Sequence, residues 1–204
     1  MTKTPDTSSI LALHMEISIA ACVTAEIIED LKGIFALQAA EKGLNFTVSV
    51  DSGFPPVFYS DYKRLHQILR NLIGNAVKFT HQGQVSLQFT CAGRRIAGYE
   101  HRLKDDICLA ISVEDTGIGM SAETKQNIFE DFVQLDSGVS RRYEGTGLGL
   151  AISRRMSALL GGEIHFSSEL EVGSTFVLLL PARTHAVTGE RGNGSRAAES
   201  LGHV

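Results

Sequence analysis

The sequence predicts an α/β fold, a two-layer α/β sandwich with a mixed sheet and three main helices. Three observations predict it. Short apolar runs of strand type alternate with longer segments of helical period. Residues 61 to 79 carry a broad apolar stripe at helical spacing. Two glycine-dense loops, Asp115-Thr116-Gly117-Ile118-Gly119-Met120 and Gly145-Thr146-Gly147-Leu148-Gly149-Leu150, fall where one strand ends and where one helix opens.

In chain order, residues 14 to 19 read as a strand, and 24 to 42 as a helix stopped at Gly43. Strands are expected at 44 to 50 and 57 to 60. In the helix at 61 to 79, Leu65, Ile68, Leu69, Leu72, Ile73, Ala76 and Val77 form one apolar face, and Asp61 stands where an N-cap belongs. Strands at 83 to 92 and 106 to 114 flank an insertion, Gly93 to Asp105, whose charge reads as a solvated hairpin. Ile107 to Val113 is a continuous apolar run, as in a buried strand. A short helix is expected at 122 to 128, and a longer one at 148 to 160 ends at Gly161-Gly162. Strands at 163 to 168 and 172 to 180 close the sheet. The domain is therefore bounded at 14 to 181. Residues 1 to 13 read as a disordered segment or the remnant of a preceding helical domain, and 182 to 204, rich in Gly, Ser, Arg and Ala, as a disordered linker or tail.

At 204 residues and 43% apolar content, the chain can bury one core. A net charge of −4 with no basic run excludes a nucleic-acid signature. No apolar run reaches the length of a membrane helix, so this segment is expected to make no membrane contact. Cys22, Cys91 and Cys108 lack metal spacing and read as reduced cytosolic thiols.

The glycine loops put bare backbone where side chains would block approach. Successive N–H groups can then converge on one anion. Asp115, at a strand end, offers a carboxylate to an exocyclic amine, a plausible way to read adenine. The second loop opens a helix, whose N–H groups and dipole suit phosphate. Neither loop has the P-loop or dinucleotide pattern. On the helix at 61 to 79, Asn71, Asn75 and Lys78 lie at i, i+4 and i+7, a polar stripe off the buried face. An Asn carbonyl oxygen is a hard ligand for Mg²⁺, and Lys78 adds a point charge. A solvated helix face is the plain alternative for this stripe alone.

Together these segments resemble the catalytic, ATP-binding domain of sensor histidine kinases, within the wider family of gyrase, HSP90 and MutL ATPases. The run His66 to Thr80 looks like that family's asparagine box, and Asp115 to Gly119 like its first glycine box. Ile128 to Phe132 looks like its phenylalanine box, and Gly145 to Leu150 like its second glycine box. The stretch from Phe129 through Gln134 and Asp136 to Arg142 is most like the hybrid kinases, in which a receiver domain follows.

The resemblance implies a Bergerat-type ATP-binding fold with ATP and Mg²⁺ as ligands. It assigns the metal to Asn75, and phosphate or metal contacts to Asn71 and Lys78. Asp115 binds the adenine amine, with Thr175 a water-mediated helper. Gly117, Gly119, Gly145, Thr146, Gly147, Leu148 and Gly149 line the nucleotide. Residues 120 to 144 form a mobile lid, from which Arg141 or Arg142 reaches the γ-phosphate. Glu144 replaces a glycine common there, which stiffens the hinge. An Asn at position 71, where the gyrase-like ATPases carry a Glu base, favours phosphotransfer over hydrolysis.

The acceptor motif of such kinases occurs nowhere, and none of the seven histidines has its context. The expected partner is thus a histidine-containing dimerisation domain of the parent kinase, with a receiver domain or response regulator beyond it. The expected site of action is cytoplasmic, with the inner membrane a candidate anchor for the parent. The rival readings are a gyrase-like or HSP90-like ATPase clamp, and a degenerate nucleotide-binding scaffold.

Overall fold

The computed structural model describes residues 16–93, 95–96, 99–100, 107–130 and 147–182. The chain opens with strand β1 (Ala20–Val23), helix α1 (Thr24–Glu41), β2 (Asn45–Val50) and β3 (Val57–Ser60). Helix α2 (Tyr62–Phe79), β4 (Gln84–Gly93) and a two-residue pair, β5 (Arg95–Ile96) and β6 (Tyr99–Glu100), follow. Next come β7 (Ile107–Asp115), α3 (Ala122–Asn127), α4 (Gly149–Leu159), β8 (Glu163–Glu169) and β9 (Gly173–Pro181).

Five strands form one sheet in the order β2-β4-β7-β9-β8. The β2–β4 pair is parallel and the other three pairs are antiparallel, so the sheet is mixed. Strand alternation sends Val85, Leu87 and Phe89 of β4, Leu109, Ile111 and Val113 of β7, and Phe176, Leu178 and Leu180 of β9 into one core. The helices cover that face. Ile27, Leu31, Phe35 and Ala39 come from α1, and Met156 from α4. From α2 come Leu65, Ile68, Leu69, Leu72, Ile73, Ala76 and Val77, the seven residues of the stripe read from the sequence. Each of its large side chains contributes roughly 1.5–3 kcal/mol by leaving water. Ala110, Val177 and Leu179 are buried on the other face, which is why β7 and β9 read as unbroken apolar runs.

Local signals fix the helix ends. Asp61 caps α2, its Oδ1 accepting from Arg64 N–H at 3.1 Å. After α1, Gly43 adopts φ 72°, the left-handed conformation that glycine takes without a Cβ penalty. The insertion after β4 makes an antiparallel β5–β6 pairing, Arg95 with Glu100 and Ile96 with Tyr99, as the hairpin reading expected.

The first strand differs from expectation. Residues 16 to 19 are not extended into a ladder, and β1 begins at Ala20. Its partner decides this. Strand β3 has only four residues to offer, pairing Ala20 with Ser60 through Val23 with Val57. The preceding Ser18 N–H goes instead to Asp61 Oδ2 at 3.0 Å. The expected strand start at residues 14 and 15 lies outside the described residues.

Candidate functional site

Asp115 is the last residue of β7 and only 8% exposed. Its Oδ1 accepts the Gly117 N–H at 2.9 Å, which closes the first glycine loop on the carboxylate. Burial raises its pKa above the ordinary 3.8, with the backbone N–H groups of Gly117 and Ser174 pulling the other way. A carboxylate can accept more hydrogen bonds than these two backbone groups supply.

The register of β7 on β9 pairs Asp115 with Ser174 and Glu114 with Thr175. Directly paired residues share a face, so Ser174 lies on the Asp115 side and Thr175 on the other. Ser174 is 9% exposed, and its Oγ is 3.0 Å from Ser168 Oγ. The hydroxyl beside Asp115 is therefore one residue earlier than the sequence reading expected. The register of β7 on β9 is what places it there.

Both glycine loops press on α2. A Cβ at Gly117 would lie 2.5 Å from Phe79 O, and Ile118 N–H donates to that same oxygen at 3.2 Å. A Cβ at Gly149 would lie 2.3 Å from Asn71 Oδ1. The loops are thirty residues apart in the chain, and α2 is their common floor. Gly119 sits at φ 61° and Gly147 at φ 68°. The β8–β9 turn backs the first loop, with Glu171 N–H donating to Ile118 O at 2.8 Å.

Asn71, Asn75 and Lys78 are all half-buried on α2. Asn71 Nδ2 donates to Ser153 Oγ of α4 at 3.0 Å. Lys78 Nζ lies 4.9 Å from the Phe79 ring centroid. Leu148 is the N-cap of α4, and its side chain makes no cap hydrogen bond to the first turn. Ser153 was not among the expected residues. Its place four residues after Gly149, on the second loop's helix, is the sequence signal for it.

Among the described residues no cluster of three or more His, Cys, Asp or Glu could hold a metal ion. An Asn75 amide oxygen completed by phosphate and water needs no such cluster, so the donor set fits a magnesium–phosphate group.

The described half of the phenylalanine box packs tightly. Phe129 meets Phe166 edge-on at 5.5 Å, and the Arg154 guanidinium lies 5.1 Å over its ring. Arg141, Arg142, Gly145 and Thr146, with most of the expected lid, lie outside the described residues. No helix among the described residues is long and apolar enough to cross a membrane.

Residues 60–184 match the family described as histidine kinase-, DNA gyrase B-, and HSP90-like ATPase. The chain is 36% identical over 176 residues to hybrid signal transduction histidine kinase B of Dictyostelium discoideum, covering 86% of this chain and 8% of that protein. It is 40% identical over 156 residues to the sensory/regulatory protein RpfC of Xanthomonas campestris pv. campestris, covering 76% of this chain and 20% of the relative. Among solved structures, full-length ShkA in complex with AMPPNP superposes with a TM-score of 0.70 at 35% identity, over 88% of this chain and 34% of that one. The nucleotide-free catalytic domain of histidine kinase ThkA shares the fold, with a TM-score of 0.62 at 22% identity, over 81% of this chain and 99% of that one. The chain thus spans a small part of its curated relatives. With the asparagine helix and both glycine loops packed together, the chain belongs to the histidine kinase-, DNA gyrase B-, and HSP90-like ATPase family.

Proposed function

We propose that this domain presents the γ-phosphate of ATP to a histidine on a separate helical dimerisation domain. The observation that carries the reading is that both glycine loops rest on α2, the second at Asn71 and the first, closed on the buried Asp115, at Phe79. In this reading Asp115 accepts the adenine amine, and Ser174, sharing its face, orients a water there. Asn71, Lys78 and the N–H groups that open α4 hold the phosphates. Asn75 is the protein's ligand to Mg²⁺, which when bound neutralises charge on the phosphates. Arg141 or Arg142 adds a planar cation at the γ-phosphate.

The step is a phosphoryl transfer. An imidazole nitrogen of the partner bonds to the γ-phosphorus as the bond to the bridging oxygen breaks and ADP leaves. Catalysis is positioning and charge neutralisation. Asn71 has no useful basicity, so no water is activated there, and its amide is already engaged by Ser153. A receiver domain or response regulator takes the phosphoryl group onward. The parent acts on the cytoplasmic side, where ATP is available.

The test uses labelled ATP. The purified chain alone is expected to bind nucleotide and remain unlabelled. Adding a helical domain that carries the acceptor histidine is expected to give an acid-labile, base-stable label on that domain. Stoichiometric label on one of this chain's own histidines would overturn the reading.

A further inference from the structure

The C-terminal end of α2 presents four successive carbonyls, from Val77 to Thr80, that the helix's own ladder leaves without partners. Ala76 O accepts from Thr80 N–H at 3.1 Å and Thr80 Oγ1 at 2.7 Å. Phe79 O accepts from Ile118 N–H in the first glycine loop at 3.2 Å. The remaining three converge on one ammonium. Lys42 Nζ donates to Val77 O at 2.5 Å, Lys78 O at 3.0 Å and Thr80 O at 3.2 Å. An ammonium has three donors, and these three acceptors use them all.

Lys42 is placed by α1, not by α2. It is the C-cap of α1, its own N–H held by Ala39 O at 3.1 Å, ahead of the left-handed Gly43. The carbonyls on either side of Phe79 therefore go to Lys42, while Phe79 itself goes to the loop that carries Asp115. One helical turn, bearing Lys78 and following directly on Asn75, is held between two separate parts of the chain.

We infer that Lys42 is a positioning residue of the nucleotide site, its ammonium fixing the last turn of α2 so that Asn75 and Lys78 keep their set against the first glycine loop. The inference rests on the reading of Asn75 and Lys78 as the metal–phosphate side of that site. A lysine that only stabilised the helix end would act on the fold and on every ligand alike. The clamp acts chiefly on the triphosphate side, because the Asp115 loop is also held by the β7–β9 ladder and by Glu171 N–H on Ile118 O, whereas Asn75 and Lys78 are carried by α2 itself.

Calorimetry on the full chain separates these, with adenosine and the magnesium complex of a non-hydrolysable ATP analogue as probes. Lys42→Met is expected to weaken the analogue about fivefold while adenosine stays within about twofold, below the loss seen on removing a direct outer-shell partner of a metal ligand. Lys42→Arg, which keeps a cation with several N–H donors, is expected to restore the analogue to within about twofold of the parent. Unchanged analogue affinity in Lys42→Met, equal losses of both probes, or no rescue by Lys42→Arg would overturn the clamp and leave the site reading standing. Failure of the parent chain itself to bind the analogue would overturn the site reading, and the clamp with it. If Lys42→Met melts below the assay temperature, Lys42→Gln against Lys42→Arg gives the same comparison under the same criteria.

Discussion

Asn71 Nδ2 lies 3.0 Å from Ser153 Oγ, a side-chain hydrogen bond that joins α2 to α4 across 82 residues of chain. Ser153 is 2% exposed while Asn71 is half-buried, so the serine end of the bond is withdrawn from water. Gly149, one turn earlier on α4, has its backbone against Asn71 Oδ1. The amide is thus fixed by the helix that the second glycine loop opens. Ser153→Ala should cost about 1 kcal/mol of stability, the usual worth of such a bond. It should also loosen triphosphate binding more than adenosine binding. A denaturant melt with paired calorimetry checks both, and equal affinity for all ligands would detach Ser153 from the site.

Asn75→Ala should remove the magnesium-dependent part of ATP affinity, roughly 1–3 kcal/mol, while sparing most metal-free ADP binding. Asn75 is half-buried one turn beyond Asn71, and its truncation leaves the seven core residues of α2 in place. Titrations with and without magnesium measure the difference directly. Equal losses in the two would reassign Asn75 to packing.

Asp115→Asn should weaken adenine nucleotides with little change in melting. The asparagine oxygen can still accept the Gly117 N–H, but its amide puts a donor where an acceptor is needed.

The same carboxylate predicts a pH dependence. Burial raises the folded-state pKa of Asp115 above 3.8, so the folded protein holds that proton more tightly than the unfolded chain. Stability from this group is full below 3.8 and is lost as pH rises through the raised folded value. Nucleotide affinity should run the other way, declining on acidification once the carboxylate is protonated. Titration of adenine itself is common to both proteins, so the difference between parent and Asp115→Asn profiles isolates the residue. Superimposable profiles would contradict the assignment.

Two glycines should respond oppositely to alanine. At Gly119, φ is 61° and a Cβ would fall 1.8 Å from Glu169 O, so the β8–β9 turn must move. Left-handed backbone alone costs roughly 1–2 kcal/mol, and the clash adds to it. At Gly33, inside α1, a Cβ meets nothing within 4 Å. Gly33→Ala should therefore stabilise by about 0.5–1 kcal/mol through helix propensity. Thermal melts of the two variants test the pair.

What the sequence determined by itself is local in origin. The seven-residue face of α2, the Asp61 cap and the Gly43 stop follow from a 3.6-residue period and from the conformations that Asp and Gly favour within a few residues. Asp115 beside Gly117 was legible for the same reason, as a strand end meeting a turn. The tertiary structure decided what depends on a distant partner. Strand β1 starts at Ala20 because β3 has only four residues to pair. Ser174, not Thr175, shares the Asp115 face because the register of β7 on β9 sets it, and a one-residue slip exchanges the two faces. Ser153 reaches Asn71, and Lys42 reaches the end of α2, only when the helices are packed on the sheet. Those bonds join residues 82 and 35 positions apart, and no periodicity within either segment encodes such a distance.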